Sequence, residues 1–300
     1  MHVALIRRRG KEHGYKMSIL EKLLNQKDGQ ADIGRQGDLA KREQTSLSDN
    51  GLYPAVCLQA AREEKYFRKF RRNEIYNQIL EHVSKEDGDK YLNIINQRGG
   101  FDAEEWNNFA DNDLYGKPEK AVFSINGKNR KLSPTTVRYA KVLQDIMGLF
   151  DVKNISSVAE IGVGYGGEGR ILTSHLGIEK YFLFDLPEVL ELAGKYLGKY
   201  ETIKDKFVFV DGTNIRENDQ TYDLAISNYA FSELIRAVQD VYLNQVIKKA
   251  KRGYITWNAM SHDKLDGYGV EELLGIIPGA HTISEEPLTA PKNCIIIWGD

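Results

Sequence analysis

Ser157-Val-Ala-Glu160-Ile-Gly162-Val-Gly164-Tyr-Gly166-Gly167 is the stretch on which the fold turns. Ser157–Ile161 is a short apolar run of the kind that forms a buried strand, and residues 167–176 can be helical. The glycines between them let the backbone turn tightly and approach a ligand, and the helix start after them offers free N–H groups. Two patterns fit the run. One is G-x-G-x-x-G through Gly162, Gly164 and Gly167; the other is an acid followed by G-x-G-x-G through Glu160, Gly162, Gly164 and Gly166.

Downstream, further strand-like runs occupy residues 181–184, 207–210, 224–227, 254–257 and 294–298. The first of these alternate with segments that can be helical, at 187–197 and 237–250, which predicts a parallel sheet covered on both faces. The chain finishes in a strand after a turn-rich stretch holding Pro287 and Pro291, so a late strand pair closes the sheet. Asp185 ends the second strand, where a carboxylate can accept both ribose hydroxyl protons. That suits NAD and S-adenosylmethionine (SAM) equally. Asp211 ends the third strand and can accept from an adenine amino group, while the Gly212 N–H can donate to a ring nitrogen. The plainer reading of both acids is as turn formers after strands. SAM is favoured by Glu160, by Asp211 as a third acid, and by the small space left behind the loop for a second domain.

Upstream, residues 1–50 are weakly structured, with a short helix around 19–24, and Met17 is an alternative start to Met1. Residues 51–150 form a helical lid and substrate region: a helical pattern from Ala55 to about Ile95, a loop-rich connector between Gly99-Gly100 and Gly116-Lys-Pro118, and a helix opened by Ser133-Pro134. The basic cluster from Arg68 to Arg72 fits the solvated face of a helix. Residues 151–300 form the cofactor-binding domain.

Composition narrows the classes. The 300 residues carry 41 basic and 43 acidic side chains, a net charge of −2, which argues against a nucleic-acid partner. Two cysteines exclude a disulfide framework and suit a reducing cytoplasm. No apolar run approaches the roughly 18 residues of a membrane span, and the basic run after the first apolar residues is misplaced for a secretory signal.

Residues 155–300 resemble a class I SAM-dependent methyltransferase. The segments Glu160–Gly167, Ile226-Ser-Asn-Tyr-Ala-Phe-Ser-Glu-Leu234 and Glu286-Pro-Leu through Ile297-Trp-Gly resemble the sugar O-methyltransferase family, as does Ser133-Pro-Thr-Thr-Val-Arg-Tyr139. The resemblance implies an α/β, Rossmann-like fold: a mostly parallel seven-stranded sheet with an antiparallel C-terminal strand, plus an N-terminal helical region. It implies SAM as cofactor and S-adenosylhomocysteine as product, held by Glu160, Gly162, Gly164, Gly166, Asp185, Leu186, Asp211, Gly212 and Asn228.

The acceptor is narrowed by what is missing. Ser227-Asn228-Tyr229-Ala-Phe231 lacks the Asn-Pro-Pro-Tyr arrangement of amino-methylating enzymes, and neither cysteine lies in a nucleophile loop. A hydroxyl acceptor remains, and so weak an acid needs a base or a metal. His262, in the loop after the fifth strand, is the first candidate base, and Glu233 the second; a loop histidine and a solvated carboxylate are the bland alternatives. The carboxylates show no metal-ligand spacing, so no metal is expected. Tyr229, Phe231 and Trp257 are candidate pocket walls, and Arg138 and Tyr139 candidates to touch cofactor or acceptor. The expected partner is a small-molecule or glycan acceptor, with a homodimer left open. An O-methyltransferase of another small molecule, an NAD-dependent oxidoreductase and a non-catalytic nucleotide-binding module are the alternatives.

Overall fold

The computed structural model describes Ser46, residues 51–262 and residues 265–300. The expectations for residues 1–45 and 47–50, and for the start at Met17, lie outside the described residues. Upstream of the sheet come α1 (Leu52–Arg62), α2 (Glu74–Ile79), α3 (Lys85–Gln97) and α4 (Ala103–Ala110). So the single helical pattern expected over 55–95 is broken into pieces. Asn73 starts α2 by accepting from the Ile75 and Tyr76 N–H groups, and Ser84 starts α3 by accepting from Asp87 N–H. The connector expected to be loop holds α4. Its start is a capping box between Asp102 and Glu105, and Trp106 and Phe109 on one face are buried.

The upstream helical region also holds an element the sequence reading did not name: β1 (Ala121–Ile125) and β2 (Lys128–Leu132) form an antiparallel hairpin. Asn126 and Gly127 between them have φ of 51° and 72°, both left-handed, as a tight two-residue hairpin turn requires. Next, α5 (Pro134–Leu149) begins with Ser133 as its cap and Pro134 in its first turn.

The main sheet comprises β3 (Ser157–Ile161), β4 (Lys180–Asp185), β5 (Phe207–Asp211), β6 (Tyr222–Asn228), β7 (Ala250–Trp257), β8 (His281–Ser284) and β9 (Cys294–Trp298). Their order is β5-β4-β3-β6-β7-β9-β8. Every pairing from β5 to β7 is parallel; β9 runs antiparallel to both β7 and β8. The expected seven strands with a reversed C-terminal strand are therefore present, and β8 is the strand whose position the sequence did not reveal. The connecting helices are α6 (Gly167–His175), α7 (Pro187–Leu197), α8 (Arg236–Gln245), α9 (Ala259–His262) and α10 (Val270–Ile276). Among the described residues no helix is long and apolar enough to cross a membrane.

Side chains alternate across the sheet. Val158, Leu183, Leu224 and Tyr254 join a core that continues to Tyr53 of α1 and Trp106 of α4, while Ala159, Phe184, Ala225 and Ile255 face the opposite layer. The upstream segment thus shares one core with the sheet. It also touches the glycine loop directly. The Arg71 guanidinium lies 4.6 Å from the centre of the Tyr165 ring, and Asn112 Nδ2 donates to the Tyr165 hydroxyl at 3.3 Å.

Arg71 corrects another expectation. It belongs to the basic cluster expected to face water, yet it is fully buried. It donates to Glu81 at 2.6 Å, to Asp113 at 3.0 Å and to Ser133 Oγ at 2.9 Å. A buried cation needs such partners, and here three separate segments supply them.

Candidate active site

Three left-handed glycines shape the turn from β3 to α6: Gly162, Gly164 and Gly166, with φ of 79°, 53° and 83°. Space reinforces that choice. A Cβ on Gly162 would lie 2.0 Å from Ala230 Cβ, and one on Gly164 would lie 2.6 Å from Leu80 Cδ1, from the segment just after α2. Gly166 gives α6 no side-chain cap.

The loop is tied to β4, and β4 in turn to the turn after β5. The Val163 and Gly164 N–H groups donate to Asp185 Oδ2 at 2.8 and 3.2 Å, and Leu186 N–H donates to Oδ1 at 2.7 Å. Burial pushes the Asp185 carboxyl up to about 6, against the pull of those three N–H donors. The Gly212 N–H, expected to meet an adenine nitrogen, instead donates to the Asp185 carbonyl at 2.8 Å. Asp211 accepts from Thr213 N–H at 2.8 Å and Thr213 Oγ1 at 2.6 Å, so its carboxylate shapes the turn after β5. These contacts gather Gly162, Gly164, Asp185, Leu186, Asp211 and Gly212 at the carboxyl ends of β3, β4 and β5, the edge at which open parallel sheets bind ligands.

Glu160 lies deeper. Its carboxylate is buried under α6, accepts from the Tyr181 hydroxyl at 2.9 Å, and is pushed well up by burial and by the neighbouring Glu168. Glu168, a residue outside both glycine patterns, stands in the first turn of α6 and meets the end of β6. Asn228 Nδ2 donates to its two oxygens at 2.7 and 2.8 Å, and Asn228 Oδ1 accepts from Thr256 Oγ1 at 2.9 Å. Burial raises the Glu168 carboxyl to about 7, with the positive Arg138 and the Asn228 amide pulling the other way. Sequence reasoning missed this residue; the signal available was an acid in the first turn after the glycines.

The loops after β6 and β7 also meet here. Tyr229 has a left-handed backbone, φ 68°, which is costly for a tyrosine. Its hydroxyl donates to Glu285 and lies 3.1 Å from Thr289 Oγ1. Phe231 and Trp257, expected as pocket walls, are instead core residues packed edge to face, with ring centres 6.3 Å apart. Glu233 accepts from Asn258 Nδ2 at 3.0 Å, and Asn258 N–H donates to Ser232 Oγ at 3.0 Å. Asn258 immediately precedes α9, so these bonds tie Glu233 to the segment that carries His262. The His262 side chain and Asp263 lie outside the described residues. His175 serves packing: its ring stacks on Phe109 with centres 4.6 Å apart, and burial lowers its pKa.

A cleft of about 550 Å³ lies elsewhere, between Arg98 and Phe101, the Lys141–Leu149 part of α5, and Ile283, Ser284 and Ile295. None of the glycine-loop residues or strand-end acids lines it, so the carboxyl edge of the sheet is the better candidate site. Among the described residues no three histidine, cysteine or acidic side chains are grouped as metal ligands would be.

The fold is Rossmann-like. No protein-family profile and no curated protein matches the sequence. Several of the solved structures that resemble it are methyltransferases by name. The methyltransferase domain of bacterial CtHen1 aligns over 54% of this chain and 96% of its own, with 11% identity and a TM-score of 0.42. A candidate sarcosine dimethylglycine methyltransferase from Galdieria sulphuraria aligns over 60% and 74%, with 15% identity and a TM-score of 0.41. The pyocyanin biosynthetic protein PhzM aligns over 55% and 56%, with 14% identity and a TM-score of 0.38. All are distant, so the functional reading stands on the strand order and the residues at the sheet edge.

Proposed function

We propose that the protein is a SAM-dependent O-methyltransferase that methylates a hydroxyl of a sugar or glycan precursor. The observation that carries this reading is the reversed β9 lodged between β7 and β8, in a sheet whose β3 ends in a glycine loop tied to Asp185. A dinucleotide-binding sheet has strand order 3-2-1-4-5-6 and is essentially parallel, so the reversed strand argues against the NAD-linked alternative.

The residues present fit the cofactor. Asp185, held by three N–H groups, would take the ribose hydroxyls, with Leu186, Gly162, Gly164 and Gly166 framing them. Asp211 and Gly212 would border the base, and Asn228 the sulfonium side, with Glu160 supporting from beneath α6. When bound, SAM supplies an electrophilic methyl group. The chain must align an acceptor oxygen with it and remove a proton, and alignment alone can contribute several kcal/mol, roughly 7 or more in good cases. Glu233 or His262 would take that proton, on loops already joined through Asn258. The acceptor class is supported by the family likeness of residues 133–139 and 226–234.

Calorimetric titration with SAM, S-adenosylhomocysteine and NAD, repeated on Asp185→Ala, tests the cofactor. Micromolar binding of the first two that vanishes in the variant supports the reading; binding of NAD alone refutes it. Methyl transfer from labelled SAM to nucleotide sugars, with His262→Ala and Glu233→Ala as controls, then tests the acceptor. Turnover on aromatic hydroxyls and none on sugars would move the assignment to another small-molecule acceptor.

A further inference from the structure

We propose that Arg138, from the helix upstream of the sheet, and Glu168, from the first turn of α6, together grip the amino-acid end of the cofactor: Arg138 its carboxylate, Glu168 its ammonium. The inference rests on the SAM reading and adds residues that neither the glycine pattern nor the strand-end acids indicate.

Arg138 is the first observation. It is only partly exposed, yet among the described residues its guanidinium makes no hydrogen bond and no ion pair; its recorded neighbour is the Tyr139 ring, 5.4 Å away. A guanidinium has five N–H donors and no acceptor, and with none of them used inside the protein the whole fork stays free for a ligand. Compare the other arginines near the core. Arg71 uses its donors on Glu81, Asp113 and Ser133, and Arg170 on Asn108 and Asn112. Arg138 alone of these three is left with its fork open.

Glu168 is the second. It is 2% exposed and takes only the Asn228 amide, which leaves acceptor positions open on a carboxylate with four. The helices that carry the two residues, α5 and α6, pack against each other, and Arg138 pulls the Glu168 pKa down without the two closing into an ion pair. An opposite-charge pair held apart at a ligand-binding edge fits a zwitterion placed between them. An α-amino acid carries its carboxylate and ammonium on one carbon, so it satisfies both groups at once, the carboxylate through the guanidinium fork. A neutral sugar would leave both charges unmatched. The uncapped start of α6, two residues before Glu168, adds N–H groups favourable to the same carboxylate.

The test compares two ligands that share the nucleoside and thioether and differ in the amino-acid end. S-adenosylhomocysteine and 5′-methylthioadenosine are titrated calorimetrically into the full chain, Arg138→Met, Arg138→Lys and Glu168→Gln. Wild type should bind S-adenosylhomocysteine more tightly by about tenfold or more. Arg138→Met and Glu168→Gln should each erase most of that ratio while binding 5′-methylthioadenosine normally, and Arg138→Lys should restore part of it. Equal weakening of both ligands would assign the residues a structural role, and an unchanged ratio would refute the grip. If wild type bound neither ligand, the cofactor reading itself would fall, and this inference with it.

Discussion

The upstream residues 51–150 and the sheet residues 151–300 hold their buried polar groups in different ways. In the sheet, an acid at a strand end is satisfied largely by backbone N–H groups of the neighbouring strand or turn: Asp185 by Val163, Gly164 and Leu186, Asp211 by Thr213, Asp223 by Ser156 and Ser157. Upstream, the buried charge Arg71 draws on Glu81, Asp113 and Ser133, which lie 10, 42 and 62 positions away. Backbone donors come with the strand and loop pattern that the sequence shows. Side-chain partners gathered from separate segments leave no pattern, and a buried charge then looks like surface charge.

Arg71→Ala puts the contrast under the most strain. It leaves the buried Glu81 and Asp113 without their cation, and the expected loss is about 3–5 kcal/mol in chemical denaturation. A loss below about 1 kcal/mol would mean that the upstream charges are solvated after all.

A second test uses pH. The Glu168 carboxyl is raised from an ordinary 4.5 to about 7 in the fold, so the folded state holds its proton more tightly than the unfolded chain. Stability from this group is therefore lost as pH rises from about 4.5 to about 7, by on the order of 3 kcal/mol, and Asp185, raised to about 6, acts in the same direction. Arg138, Asp145 and Glu160 are the charged groups around it. Denaturation at pH 5 and pH 8 should show a clear fall for wild type and a smaller one for Glu168→Gln. Parallel slopes would show that Glu168 titrates normally.

Two glycines sharpen the comparison further. Gly162 and Gly127 are both left-handed, so alanine costs about 1–2 kcal/mol at either. Only at Gly162 does the new Cβ also meet a neighbour, Ala230, whereas nothing lies within 4 Å of the position on Gly127. Gly162→Ala should therefore lower the melting temperature more than Gly127→Ala. The smallest effect belongs to Asp102→Ala, which removes the capping box of α4 and should cost about 1 kcal/mol in the same measurement.

The same distinction separates what was legible in the sequence from what was not. The glycine loop, the parallel strands and Asp185 could be read because apolar runs and turn residues recur at short range. Two upstream features were legible in principle as well: Asn126-Gly127 between alternating residues is a hairpin signal, and Asp102-x-x-Glu105 is a capping box. The strand β8 was not. His281–Ser284 is short, largely exposed at the sheet edge, and defined by its pairing with β9. The candidate site divides likewise. Glycines and strand-end acids carry patterns, while Arg138 and Glu168 gain their interest only from the packing of α5 on α6, which brings them together without an ion pair between them.

By itself, then, the sequence determined the alternation of strands and helices after Asp151, the left-handed glycine turn and the acids that end the strands, because each depends on residues within one turn or one strand of one another. Only the tertiary structure decided that Arg71 is buried, that Gly212 N–H serves the Asp185 backbone, that Phe231 and Trp257 are core, and that Asn228 meets Glu168. The physical reason is that desolvation and charge pairing depend on which distant segments exclude water together, and no local pattern encodes that.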